Sequence, residues 1–343
     1  KIKTKLPNLP VLLLLNNTFG VELLRDQKDG LSSFDKVFLW HGDSNIFLAM
    51  IKYVEDKLNV RNDTKIGMVR VILLVEDSIN YYSRYLPKLY QEIIEQTQIL
   101  ITDESFEETK KILRMRARPK VLLANSYEEA IEFFQEYKDY LLCVISDVKY
   151  PKDGEVDPNA GLKLVKYVKE QIPDLPTLLQ SSDMENIPAA YDLNSSFLYK
   201  NSDTLLHDMR KFILENLGFG DFVFRNNLGK EIARAKNLNE FHECLFSVPE
   251  ETLLYHGNRN HFSTWLLARG EIQFSKQINS LTVNDFQTGK ELRDFMIDLC
   301  QTVYYSKTKG KIIDFDKILL KDGKCIARFS NGSLGGKGRG LSF

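Results

Sequence analysis

The sequence predicts a doubly wound α/β fold: a five-stranded parallel sheet with helices on both faces, joined to a partial second copy and a small, mainly helical module. Three observations carry this. The run Leu141-Leu-Cys-Val-Ile-Ser-Asp147 is unbroken and apolar until its single terminal acid, as suits a strand buried on both faces of a parallel sheet. Similar runs alternate with amphipathic stretches from Val69 to Leu217. A block near the start of the chain recurs later, in the same order.

The recurrence begins with Lys5-Leu-Pro-Asn-Leu-Pro-Val-Leu-Leu-Leu, echoed 166 residues later by Gln171-Ile-Pro-Asp-Leu-Pro-Thr-Leu-Leu-Gln. Val37-Phe-Leu-Trp-His41 is then echoed at an offset of 159 by Ser196-Phe-Leu-Tyr-Lys200, and Met50-Ile-Lys-Tyr-Val by Met209-Arg-Lys-Phe-Ile. The first copy thus holds only the last two strands and last helix of the unit. A half-sheet of that kind cannot bury its apolar faces alone. The expectation is a fragment of a longer protein.

The second copy reads as complete. Val69–Val75 is the first strand, closed by Glu76-Asp77-Ser78, and a helix follows from about Tyr82 to Ile101. A second amphipathic stretch, Phe106–Met115, is an insertion with a basic end that suits a helix C-terminus. Strand Lys120–Ala124 leads to a helix opened by the capping box Ser126-Tyr-Glu-Glu129. After the Asp147 strand come a polar excursion (Pro151–Asn159), helix Leu162–Lys169, strands Thr177–Gln180 and Phe197–Tyr199, and helix Thr204–Leu217. From Asp221 the pattern changes: capping boxes at Asn237/Glu240 and Thr288/Glu291 open helical stretches with little strand between them, and the segment reads as a small helical module. Lys321-Asp-Gly-Lys324 has hairpin turn chemistry, and Ser330–Gly340 is glycine-rich.

Composition narrows the function. With 46 basic and 47 acidic residues and no basic stripe, the chain does not read as a nucleic-acid binder. The longest early apolar run, Val11–Leu15, is far short of the roughly 18 residues that span a bilayer, so no membrane association is expected. Four scattered cysteines without a Cys-x-x-Cys pair fit reduced thiols in the cytoplasm.

In a parallel sheet the strand ends Glu76-Asp77, Asp147, Ser181-Ser182 and Lys200 meet at one edge, where open α/β sheets place their ligands. Converging carboxylates need a cation, and oxygen-only ligands suit Mg²⁺. A hydroxyl and an ammonium opposite could hold phosphoryl oxygens, with Asp147 as a carboxylate nucleophile. Taken alone, Asp147 reads equally as a loop cap.

On these residues the segment Met68–Gly220 resembles a response-regulator receiver domain, a flavodoxin-like fold. The resemblance implies that Asp147 is the phospho-acceptor and that Glu76, Asp77, Asp147 and the backbone carbonyl of Lys149 hold Mg²⁺. It implies Ser181 as the switch hydroxyl, Lys200 as the phosphate-pairing lysine and Tyr199 as the aromatic that reorients. The phosphodonor would be a histidine kinase or another donor. Two departures touch the switch: Asn201 follows the lysine where the family has proline, and Pro151–Asn159 replaces a short turn. The first copy, with Leu15 in the place of Ser181 and His41 in that of Lys200, reads as degenerate.

Tyr255-His-Gly-Asn-Arg-Asn-His261 is rich in metal-ligating types, but a spacing of five does not share a helical face, and packing around Trp265 is the expectation. Gly335-Gly-Lys-Gly-Arg-Gly340 is not a Walker loop. It resembles the start of the ATP-grasp domain of phosphoenolpyruvate synthase and pyruvate phosphate dikinase, which implies that Lys337 contacts ATP phosphates in a longer parent. The expected domains are a degenerate receiver half (1–66), a receiver (67–220), a helical linker module (221–308), and a hairpin with the start of an ATP-grasp, phosphoenolpyruvate/pyruvate-binding domain (309–343). The expected function is a phosphorelay receiver regulating that ATP-using domain. The parent would be an ATP-dependent phosphotransferase and this fragment not catalytic. The alternative is an unphosphorylated scaffold that homodimerises or binds partners.

Overall fold

The computed structural model describes residues 2–25, 34–67, 69–102, 118–173, 175–269, 271–279, 285–286, 288–309, 319–321 and 324–326. The chain divides into two units, 1–217 and 218–343.

The first unit opens with a short helix α1 (Ile2–Lys5), strand β1 (Leu12–Leu15), helix α2 (Thr18–Arg25), strand β2 (Lys36–Leu39) and the long helix α3 (Asn45–Gly67). Strands β1 and β2 pair in parallel. The first copy therefore contains a helix between its strands that the sequence reading did not separate.

The second copy contributes β3 (Val71–Val75), α4 (Ile79–Thr102), β4 (Lys120–Ala124), α5 (Tyr127–Tyr137), β5 (Leu141–Asp147), β6 (Tyr150–Lys152), β7 (Glu155–Asp157), α6 (Ala160–Gln171), β8 (Thr177–Ser181), α7 (Ile187–Asp192), β9 (Ser196–Tyr199) and α8 (Leu205–Asn216). Five strands form the parallel sheet in the order β4-β3-β5-β8-β9, the predicted flavodoxin-like arrangement. Both faces are covered. Val71, Leu73 and Val75 point into a cluster with Phe134 of α5 and Leu164 of α6. Ile72 and Leu74 point the other way by strand alternation and are equally buried. The Ser126 hydroxyl accepts from the Glu129 amide as the predicted cap, and the Glu129 carboxylate reaches back to the Asn125 amide, one residue before the cap. The insertion lies outside the described residues from 103 to 117.

The polar excursion after Asp147 is a hairpin, not a loop. Strands β6 and β7 are antiparallel, and the connecting Asp153 (φ 54°) and Gly154 (φ 85°) both adopt the left-handed conformation of a tight two-residue turn.

The first copy packs on the second through polar groups as well as apolar ones. Leu39 N donates to Ser83 Oγ at 2.9 Å, and the Tyr82 hydroxyl donates to the Val37 carbonyl. Lys36 Nζ donates to Asn125 Oδ1 at 2.6 Å and lies 4.3 Å from the Tyr82 ring centre; burial pushes this amine down to about 7. Asp56 of α3 is fully buried and receives Arg118 Nη2 (2.7 Å), Arg118 Nη1 (3.1 Å), the Tyr90 hydroxyl (3.1 Å) and the Val121 amide (2.9 Å).

Pairing also corrects the alignment of the copies. Trp40 N donates to the Leu15 carbonyl as Lys200 N donates to the Ser181 carbonyl, so Trp40, not His41, stands where Lys200 does. The repeated Phe-Leu letters are one residue out of register. That slip would turn every strand side chain to the other face. Phe38 in fact faces Tyr53 of α3, its ring centre 5.9 Å away.

The second unit is mainly helical as expected, with no strand between Asn237 and Thr288 among the described residues, but a hairpin that the sequence reading did not single out precedes its helices. It begins with an antiparallel hairpin, β10 (Phe222–Arg225) and β11 (Glu231–Ala235), before helices α9 (Leu238–Ser247), α10 (Glu250–Asn258), α11 (His261–Ala268), α12 (Ile272–Asn279) and α13 (Gly289–Lys309). Phe222, Phe224, Phe241, Phe262 and Trp265 form its core. Further on, β12 (Leu319–Lys321) and β13 (Lys324–Ile326) pair antiparallel, as the turn residues between them predicted. The glycine-rich stretch with Lys337 lies outside the described residues.

Candidate functional site

Parallel pairing brings the predicted residues to one edge. Val75 lies opposite Ser146, Asp147 opposite Gln180, and Ser181 opposite Tyr199. Glu76 follows β3 directly, and Lys200 follows β9. One oxygen each from Glu76, Asp77 and Asp147 lie within 4.8 Å of one another. Among the described residues this is the one group of three or more such side chains.

Lys200 Nζ stands 2.6 Å from both Glu76 Oε2 and Asp147 Oδ2, with its side chain 3% exposed. The other Asp147 oxygen accepts from the Val148 amide at 2.7 Å. Glu76 Oε1 accepts from the Ser78 amide at 3.1 Å. The Lys200 ammonium also lies 4.2 Å from the ring centre of Tyr81 in the first turn of α4, a contact that no sequence signal announced.

Gly161 explains why the hairpin after Asp147 returns as it does. A side-chain carbon there would sit 2.0 Å from the Asp147 carbonyl oxygen, and Gly161 N donates to the Val148 carbonyl. Helix α6 can approach the end of β5 only because this position carries no Cβ.

Ser181 Oγ accepts from the Asp183 amide and from Asn186 Nδ2, both at 3.0 Å. Both bonds use its lone pairs and leave its proton for a further acceptor. Tyr199 is half-buried, and Asn201 Nδ2 reaches its hydroxyl at 3.4 Å. Lys149 is exposed in the turn between β5 and β6.

The chemistry of this donor set fits a divalent cation. Three carboxylates face one ammonium, and Mg²⁺ is held by one or two carboxylates together with waters and phosphate oxygens. The electrostatics agree. Burial first, opposed by Lys200 and reinforced by the charge of Asp147, raises the Glu76 carboxyl from 4.5 to about 7. Lys200 is raised too: burial opposes its charge, but Glu76 and Asp147 together outweigh it.

A raised acid binds its proton more tightly folded than unfolded. Its contribution to stability is therefore full below pH 4.5 and is lost as pH rises through about 7. A cation needs the ionised form, so Mg²⁺ affinity is expected to rise with pH up to about 7 and level off above it. Mg²⁺ titrations followed by thermal shift on either side of that value test this, with Glu76→Gln expected to remove the slope. A flat affinity in the wild type would contradict it.

His256 and His261 do meet, Nδ1 to Nδ1 at 2.9 Å, because Asn260 (φ 55°) turns the chain back between α10 and α11. The Arg225 amide donates to His256 Nε2 at 2.8 Å, which places the His256 proton on Nδ1. Burial pushes His256 down to about 3. With its lone pair engaged and its other nitrogen protonated, His256 is unsuited to ligating a metal, and it packs against the Phe222 ring.

No family model and no curated protein matches this chain. It is similar to several solved structures. A response regulator receiver domain protein from Clostridium thermocellum is 19% identical over 42% of this chain and 90% of that one, with a TM-score of 0.26. The Mn(2+)-bound form of response regulator Rcp1 is 18% identical over 42% and 91%, with a TM-score of 0.25. The phosphorylated cyanobacterial phytochrome response regulator RcpA is 16% identical over 43% and 94%, with a TM-score of 0.27.

Proposed function

We propose that residues 67–220 form a receiver that is phosphorylated on Asp147 with Mg²⁺. The supporting observation is the position of one carboxylate, at a sheet edge, shared between an acid cluster and a buried lysine. An Asp147 carboxylate oxygen attacks the phosphorus of the donor. The new bond is P–O to Asp147, and the bond to the donor's leaving group breaks, its electron pair leaving with that group. Glu76 and Asp77, with Asp147 and the Lys149 carbonyl, would hold the cation. When bound, Mg²⁺ neutralises charge on the phosphoryl oxygens. Lys200 then pairs with one phosphoryl oxygen and Ser181 donates its proton to another, while Tyr199 reports the change at the β9 surface.

The wider reading follows from the resemblances. Residues 1–66 are a degenerate receiver half, 221–308 a linker module, and 309–343 the start of an ATP-grasp domain in which Lys337 contacts ATP. The donor is a histidine kinase or a small acyl phosphate, in the cytoplasm. The whole protein would be a phosphoenolpyruvate synthase-like phosphotransferase under receiver control.

Incubation with acetyl phosphate and Mg²⁺ is expected to add one phosphoryl group by intact mass, and none when Mg²⁺ is chelated. Absence of any mass gain would refute the reading. A second reading, a scaffold that pairs without phosphorylation, is favoured by Phe47, Ile51 and Leu58, exposed at 51%, 63% and 67% along α3. It predicts no mass gain and no Mg²⁺-dependent shift in stability.

A further inference from the structure

Tyr81 has no part in the reaction described above, yet its ring centre lies 4.2 Å from the Lys200 ammonium. The ammonium has two other partners, Glu76 Oε2 and Asp147 Oδ2, each at 2.6 Å. Both of those carboxylates belong to the acid cluster. A divalent cation entering the cluster would draw on the same carboxylates and repel the ammonium. Such like-charge repulsion between neighbouring groups is strong where water is scarce. Lysine has a flexible four-carbon stem and would swing away unless another partner holds it. An aromatic face is such a partner, because it attracts an ammonium through its quadrupole and offers no oxygen for a hard cation to take.

The ring is itself held in place. Tyr81 stacks on Tyr85, centre to centre 5.9 Å with an interplanar angle of 23°, and Tyr85 is 1% exposed. The same turn of α4 is tied to the first copy by the Tyr82 hydroxyl on the Val37 carbonyl and by Ser83 Oγ under the Leu39 amide. The half-copy, degenerate at its own switch positions, thereby braces the turn that carries Tyr81.

We infer that Tyr81 is a positioning residue that keeps the Lys200 ammonium at the phosphoryl site once a divalent cation occupies Glu76, Asp77 and Asp147. This rests on the reading of Asp147 as the phospho-acceptor. Asp147 is carried by β5 and Lys200 follows β9, whereas Tyr81 belongs to α4. The contact therefore gives helix α4 a direct part in the site.

The test uses the whole 343-residue chain, acetyl phosphate and a Mg²⁺ titration, comparing wild type, Tyr81→Phe and Tyr81→Leu after thermal melts confirm folding. Tyr81→Phe keeps the aromatic face and is expected to keep the wild-type rate. Tyr81→Leu is expected to lower the phosphorylation rate at saturating Mg²⁺ by roughly two- to thirty-fold, the rate equivalent of a cation–π contact of about 0.5–2 kcal/mol. The Mg²⁺ half-saturation point should not rise, since no ligand is lost. Equal rates for Tyr81→Leu and wild type, with Asp147 labelled in both, overturn the inference. A second readout does not need phosphorylation: the ring-current shift of the Lys200 Cε protons in Mg²⁺-loaded protein. If wild type takes no phosphoryl group but keeps that shift, the acceptor reading fails and the positioning stands. If Mg²⁺ abolishes the shift in wild type, the positioning role fails whatever the labelling shows.

Discussion

Asp147→Asn is expected to abolish phosphoryl uptake while leaving the sheet folded. Asparagine is nearly isosteric, so β5 and its pairing with β3 and β8 keep their geometry. The amide oxygen can still accept from the Val148 amide, as Asp147 does now at 2.7 Å. What disappears is one negative charge of the acid cluster and one of the two carboxylates around Lys200. Asn186→Ala serves as control, since it removes a donor to Ser181 Oγ and to the Asp183 carbonyl and leaves Asp147 intact. Intact mass after acetyl phosphate treatment decides the matter, with circular dichroism to show that the variant is folded. Labelling of Asp147→Asn at the wild-type level would move the acceptor elsewhere.

Asp56→Ala is expected to cost about 3–5 kcal/mol of stability, the usual consequence of removing one partner of a buried ion pair. Asp56 is fully buried, and the side chain of its partner Arg118 is 3% exposed, so the guanidinium would be left in a low-dielectric site. The Tyr90 hydroxyl and the Val121 amide lose their acceptor as well, each worth about 1–3 kcal/mol when left unpaired in the interior. Asp56→Asn retains an acceptor for those two and should recover part of the loss. Lys57→Ala, on the exposed side of the same helix, should change stability by no more than about 0.5 kcal/mol. Chemical denaturation measures the three variants, and amide exchange over β1, β2 and α3 shows whether the first copy loosens first. A loss below about 1 kcal/mol for Asp56→Ala would mean that these polar contacts do not hold the two copies together.

Much of the candidate site was legible because a parallel sheet turns a linear order into a place. Four of the five apolar runs were followed or closed by acids, hydroxyls or a lysine, and parallel pairing puts those ends at one edge. Glu76, Asp77, Asp147, Ser181 and Lys200 could therefore be grouped before any coordinate was known. The hairpins were legible unequally. Lys321-Asp-Gly-Lys324 carries an explicit two-residue turn, whereas β10 and β11 are short and joined through Asn226-Asn-Leu-Gly229, whose Gly229 (φ 77°) was the available signal. The meeting of His256 and His261 depended on one left-handed residue, Asn260, which helical spacing does not take into account.

By itself, the sequence determined the α/β alternation, the repeat, and which side chains terminate the strands of the complete copy, because apolar periodicity and strand-end chemistry are local properties. Only the tertiary structure decided the rest. It set the one-residue register that puts Trp40 in the place of Lys200, since side chains alternate across a sheet and repeated letters do not say which face they take. It buried Asp56 against Arg118, because an acid flanked by Glu55 and Lys57 on a helix reads as solvated until another element covers it. It placed Tyr81 over Lys200, joining a helix turn to a strand end more than a hundred residues away, a proximity set by packing and not written in spacing.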